Sequence, residues 1–163
     1  MDTPYYFNKF QQIADGLNKH PFAQNGLELK VGVWLESVVL KIQKKAWLNS
    51  SATAQPFRES VFFSIWVHDA TLAKCRLSYN IHALKMRELK NYTIQSRDFA
   101  QAFRTRFEPY QSQWPNVNVQ YGPLTLMEGW APIANLDTLI PELANKFLEI
   151  APIIDELLAE RKK

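Results

Sequence analysis

The chain has 163 residues, 47% hydrophobic and 13% aromatic, with a net charge of +3. That length fits one domain over 1–163 with a core of its own, and the composition excludes extended disorder. One cysteine, Cys75, excludes an intrachain disulfide, and +3 alone does not argue for nucleic acid.

The N-terminus lacks a basic patch followed by an apolar stretch, so no signal peptide is predicted. No apolar run is long enough to span a bilayer, and the expected setting is a reducing cytoplasm with no membrane contact. On that ground the sequon Asn91-Tyr92-Thr93 reads as chance.

The first element is a helix. Thr3 is its expected cap and Pro4 fits its first turn. Tyr6, Phe10, Ile13, Ala14 and Leu17 form one apolar stripe, and Gly16 and Asn18 mark its end. His20-Pro21 and Asn25-Gly26 read as a connecting loop. Residues 28–35 then alternate Leu29, Val31, Val33 and Leu35 against Lys30, Gly32 and Trp34. Residues 38–47 follow after a tight hairpin placed at Glu36-Ser37. Residues 49–56 read as a polar loop.

Two strands come next, 61–68 and 75–82. In the second, Cys75, Leu77, Tyr79 and Ile81 share one face and Arg76, Ser78, Asn80 and His82 the other. This parity makes Cys75 a packed thiol. Pairing odd with odd sets Ile65 opposite Leu77 and Phe63 opposite Tyr79, with Trp66 beside Arg76 in a cation–π pair; a register shifted by two obeys the same rule. Residues 83–89 read equally as a helical turn or continued strand. Ser96 is the expected cap of a helix carrying Phe99, Phe103 and Phe107 on one face and ending at Pro109. A loop over 110–123 has room for a short strand at 117–121. A last strand covers 124–131, with Gly129 as a possible bulge. The tail is helical: Leu136, Ile140, Leu143, Phe147, Ile150, Ile154 and Leu157 form a stripe, with a bend or split at Pro152. The stripe reads first as a sheet cover and second as a dimer seam.

The order is therefore α-β-β-β-β-α-β-α. It predicts an α+β fold, a mostly antiparallel sheet of about five strands with N-terminal, middle and C-terminal helices packed on it. Charge is unevenly spread. Residues 74–106 carry eight basic side chains against Glu88 and Asp98, a local +6, and the chain from 107 onward carries a local −4. These stretches are expected to be solvated surfaces that pair with each other.

The five glycines are scattered, which disfavours a phosphate-cradling loop. His68 and His82 are the histidines near strands. The chosen register puts His82 opposite Ser60, eight residues from His68 and roughly 27 Å away, too far to share an ion. No metal and no cofactor are expected. His68-Asp69 is a weak acid–base pair or simply a turn. Glu28-Leu29-Lys30 with Asp15 upstream has the form of a nuclease tripeptide but is too common to carry weight. Glu36 and Glu128 are the remaining carboxylates near strands. Glu128 shares parity with Leu124 and Leu126, so it points inward unless Gly129 twists the strand.

What remains is the polar sheet face: Trp34, Lys41, Lys45, Phe62, Trp66, Arg76, Asn80 and His82. Aromatics interleaved with cations stack bases and track phosphates, and they serve equally as a protein interface. The favoured expectation is a homodimeric, non-catalytic binding or accessory domain holding a protein or an anionic ligand such as nucleic acid on this face. One rival is a small cytoplasmic enzyme with His82 or His68-Asp69 as acid–base group near Glu36 or Glu128. Another is a structural subunit dimerising through the C-terminal helix. No motif anchors a family resemblance.

Overall fold

The computed structural model describes residues 1–48 and 60–163. It is an α+β fold. Five strands, β1 (Glu28–Trp34), β2 (Ser37–Gln43), β3 (Val61–Val67), β4 (Arg76–Ala83) and β5 (Thr125–Pro132), form one antiparallel sheet in sequence order. Neighbours in the chain are neighbours in space, as short connections favour. Helices α1 (Thr3–Gly16), α4 (Ser96–Gln111) and α5 (Leu136–Glu160) pack against one face. Two five-residue helices, α2 (His20–Gln24) and α3 (Asp69–Ala73), fill connections. Residues 49–56, read as a polar loop, lie outside the described residues.

The core lies between the sheet and the three long helices. The β4 parity holds: Leu77, Tyr79 and Ile81 are fully buried on the helix side. Phe63, Tyr79 and Trp114 gather around Phe147 of α5, which stacks on Phe63 at 4.7 Å. The α5 stripe from Leu136 to Leu157 is buried in this core, so it covers the sheet. The helix runs unbroken through Pro152 because its packed face compensates for the lost backbone bond. Likewise α4 continues two residues past Pro109. Asp155 shows how the helix is keyed to the sheet. One carboxylate oxygen accepts from Trp47 Nε1 at 2.9 Å and the other pairs with Lys44 at 2.7 Å.

Local chemistry moves several boundaries. Asp2, not Thr3, caps α1, accepting from the Tyr5 amide at 3.1 Å. Gln95 precedes α4 in the cap position, with Ser96 already helical. The first hairpin turns at Leu35-Glu36, both at positive φ (50° and 65°), one residue earlier than predicted. β4 ends at Ala83 and a short 3-10 turn follows at Met86–Glu88. Cys75 is not in the packed row. It sits before β4 at φ 55°, exposed, because α3 brings the chain in through a tight turn. The opposed charges do pair: Arg106 of α4 bonds Glu160 of α5, and Asp98 bonds Arg161 at 2.8 Å. Among the described residues no helix is long and apolar enough to cross a membrane.

Candidate functional site

The face of the sheet away from the helices is a furrow, and strand register dictates its contents. Ser64 faces Asn80, two residues off the expected register and equal to the shifted alternative. Lys30, Lys41, Ser64, Asn80 and Glu128 therefore line up across all five strands. The adjacent row is Gly32, Val39, Trp66, Ser78 and Trp130. On the other side Phe62 faces His82. A polar stripe thus runs between two bands containing aromatic rings. The groove over it has a volume of about 830 Å³, and a second hollow of about 430 Å³ adjoins it beyond Trp66, His68 and Glu128.

Lys41 lies near the floor at one end. It is 7% exposed, and its ammonium sits 4.1 Å from the Trp34 ring centre and 4.5 Å from that of Phe62. Trp34 can lie flat along β1 because Gly32 has no side chain: a Cβ there would come 2.5 Å from the indole. Arg76 does not meet Trp66. Its guanidinium stacks on Trp130 at 3.7 Å, a diagonal neighbour that only the β4–β5 register supplies.

Glu128 reaches the groove through a bulge. Ile81 pairs with Met127 but His82 pairs with Thr125, so Leu126 is the extra residue, not Gly129. Parity reverses there, and Glu128 joins Asn80 instead of the Leu126 side. Its oxygens accept from Asn80 Nδ2 at 3.2 Å and from the Tyr121 hydroxyl at 3.0 Å. Burial, followed by that bond to Glu128, raises the Tyr121 hydroxyl above its ordinary range. Arg104 fixes this corner by donating to the carbonyls of Tyr121, Gly122, Thr125 and Leu126. Tyr121 and Arg104 carried no periodic signal pointing to the site, since one sits in an irregular loop and the other on a helix edge. Gly129 has a different role: the Tyr79 ring crosses it on the core side, and the Tyr79 hydroxyl donates to the Pro115 carbonyl at 2.6 Å.

His82 lines the groove with its ring 5.1 Å from Phe62. Burial is the main cause holding it below its ordinary value, with Lys41 adding to that, while the Leu124 backbone and Glu128 oppose it. It stands opposite Phe62, six residues along from His68. His68 is committed elsewhere: Nδ1 accepts from the Thr71 amide at 3.2 Å and caps α3. Asp69 does not orient that ring. Its carboxylate pairs with the N-terminal amine at 2.8 Å, which chiefly holds it below the usual carboxylate range. Glu36 is exposed at the hairpin tip, and Lys45 is exposed on a 3-10 turn off the sheet. Thus Trp34, Lys41, Phe62, Trp66, Asn80, His82 and Glu128 share the main groove, Arg76 lines the hollow beside it, and Lys45, Glu36 and Asp69 stand apart.

Four buried side-chain polar atoms lack a partner among the described residues, Gln43 Oε1, Ser60 Oγ, Trp66 Nε1 and Asn80 Oδ1, and of these Trp66 and Asn80 line the groove. Asn80 is only 4% exposed. Among the described residues, no group of three or more His, Cys, Asp or Glu side chains is placed to hold a metal. No protein-family model, no curated protein and no solved structure matches this chain.

Proposed function

We propose that this chain is a non-catalytic binding domain that holds an anionic partner in the groove on the helix-free face of its sheet. The observation that carries this reading is the pair of unmet atoms in the groove, the Trp66 donor and the Asn80 acceptor. Burying such an atom unpaired costs about 1–3 kcal/mol, which a complementary guest restores. Charge supports an anion. Lys41, Lys74 and Arg76 line the two hollows against a single carboxylate, Glu128. Three of the groups that the acid–base reading would use are engaged elsewhere, while His82 lines the groove. Glu128 is bonded to Asn80 and Tyr121, His68 to a helix cap and Asp69 to the N-terminal amine. The same reading sets the domain in a reducing cytoplasm, where an exposed thiol such as Cys75 persists.

The test uses the indole N–H resonances of the five tryptophans in ¹⁵N-labelled protein. Trp47 is the internal reference, since its Nε1 is bonded to Asp155 in the core. A panel of organic anions (nucleotides, aromatic carboxylates, acidic peptides) is added at low and moderate salt. The Trp66 signal, assigned by its loss in Trp66→Phe, is expected to move with at least one class while Trp47 stays still. A Trp66 signal indifferent to the whole panel would end the proposal.

A further inference from the structure

Arg76, Arg104, Arg106 and Arg161 are the partly buried arginines among the described residues. All but Arg76 donate to oxygen. Arg104 meets backbone carbonyls, Arg106 meets Glu160 and Arg161 meets Asp98. The Arg76 guanidinium lies 3.7 Å from the Trp130 ring centre, and no oxygen among the described residues accepts from it. Stacking engages the flat face of a guanidinium and leaves its N–H groups, which lie in the plane, pointing outward. The indole therefore holds Arg76 in place without using its donors.

Lys74 stands beside it. Cys75 alone separates the two, and its φ of 55° turns the chain as it enters β4. Lys74 has no acid partner among the described residues either, and both cations line the hollow of about 430 Å³. Like charges so placed repel each other until an anion joins them. Glu128, the carboxylate that the described residues bring to this hollow, is held off. It pairs with Asn80 while Pro132 pairs with Arg76, a distance of four residues along β5 or roughly 13 Å. Its oxygens already accept from Asn80 and Tyr121.

A carboxylate would fill the Arg76 fork and bring a single charge. A phosphate monoester brings about two negative charges at pH 7 and enough terminal oxygens for the fork and the Lys74 ammonium together. The hollow opens beside the larger groove, with Trp66 and His68 in the wall they share, and that groove carries Val39, Phe62 and Leu84 beyond. We infer that the hollow is a phosphoryl site, where a small phosphate monoester sets its phosphate on Arg76 and Lys74 and its organic body past Trp66 in the main groove. This rests on the binding reading above and adds the class of anion and the residues that take its charge.

The experiment titrates the ¹⁵N-labelled chain with phenyl phosphate, phenylacetate, phenol and inorganic phosphate. It reads the Arg76 Nε–H and the Trp130 indole N–H, assigned by their loss in Arg76→Lys and Trp130→Phe. Phenyl phosphate is expected to move both and phenol neither. Phenylacetate should move them with an affinity about tenfold lower. Inorganic phosphate should act on the same signals more weakly than phenyl phosphate, having no body for the groove. Arg76→Lys keeps the charge and loses the fork; it should weaken phenyl phosphate about tenfold, read on Trp130. Lys74→Gln, at an exposed position, should weaken it about two- to fivefold. A Trp47 signal that stays put in both variants shows that the fold survives. Equal affinity for phenylacetate and phenyl phosphate, or full affinity in Arg76→Lys, overturns the phosphoryl site. If both phosphates leave Arg76 and Trp130 still while the anion panel moves Trp66, the phosphoryl site is wrong and the binding reading stands. If no probe moves any of these signals, both are wrong.

Discussion

His82 shows how one side chain on this face is set by competing neighbours. Its burial disfavours the imidazolium, Lys41 adds to that, and Glu128 and the Leu124 backbone oppose it. The folded value is thus below the 6.5 of the unfolded chain. Above pH 6.5 both states are neutral and this residue adds no pH dependence. As the pH falls from there toward the folded value, the unfolded chain takes up a proton that the folded one refuses, and stability is lost. An NMR titration should therefore give His82 a midpoint under 6.5. The His82→Gln variant should flatten the dependence of unfolding free energy on pH in that window. A midpoint at or above the ordinary value would show that Glu128 outweighs burial.

The first hairpin carries the clearest conflict between an element and its residues. A two-residue turn with both positions at positive φ is the kind that Asn-Gly makes at little cost. Here it is built from Leu35 and Glu36, and Leu35 is also 97% exposed. Left-handed backbone costs a residue with a side chain roughly 1–2 kcal/mol. The β1–β2 ladder and the Trp34 contacts hold the turn in place. Replacing the pair with Asn-Gly should raise stability by about 1–2 kcal/mol, read as a later urea midpoint with unchanged slope. No gain would mean that the unfolded chain already favours this turn. The same element explains the one-residue error in the predicted hairpin. Glu36-Ser37 looked like the break because neither Leu35 nor Glu36 is a turn former by type; in the ladder Trp34 pairs with Ser37 and Val33 with Val38.

At the scale of the whole molecule, the sheet has one face packed under the helices and one that carries the groove. Phe147 joins them to the helix layer: it stacks on Phe63 and meets Trp114 and Tyr79 edge-on or tilted. Phe147→Ala should cost about 3–5 kcal/mol, a large share of the roughly 5–15 kcal/mol that holds a domain together. Denaturant unfolding measures it, and a loss under about 1 kcal/mol would show that the aromatic cluster closes over the gap. The ion pairs of α4 with α5, Arg106 to Glu160 and Asp98 to Arg161, are exposed at their carboxylates and add little to this. Arg106–Glu160 joins the basic middle to the acidic tail and Asp98–Arg161 joins their minority charges, so the two pairs together leave the charge asymmetry of the sequence as it was.

The succession of helices and strands along the chain, the α+β class and the parity of β4 were legible in the sequence, because a period of two or of three to four states which side chains must leave water; the order of strands in the sheet was not. So was the membership of Trp34, Lys41, Trp66, Asn80 and His82 in a single face. What faces what across that sheet was decided only in three dimensions. A shift of two residues keeps every apolar side chain inside, so burial energy barely distinguishes the two registers. The choice falls to turn geometry: α3 between β3 and β4, and the extra residue Leu126 in β5. Those two features align Asn80 with Ser64 and Glu128 and bring Trp130 to Arg76.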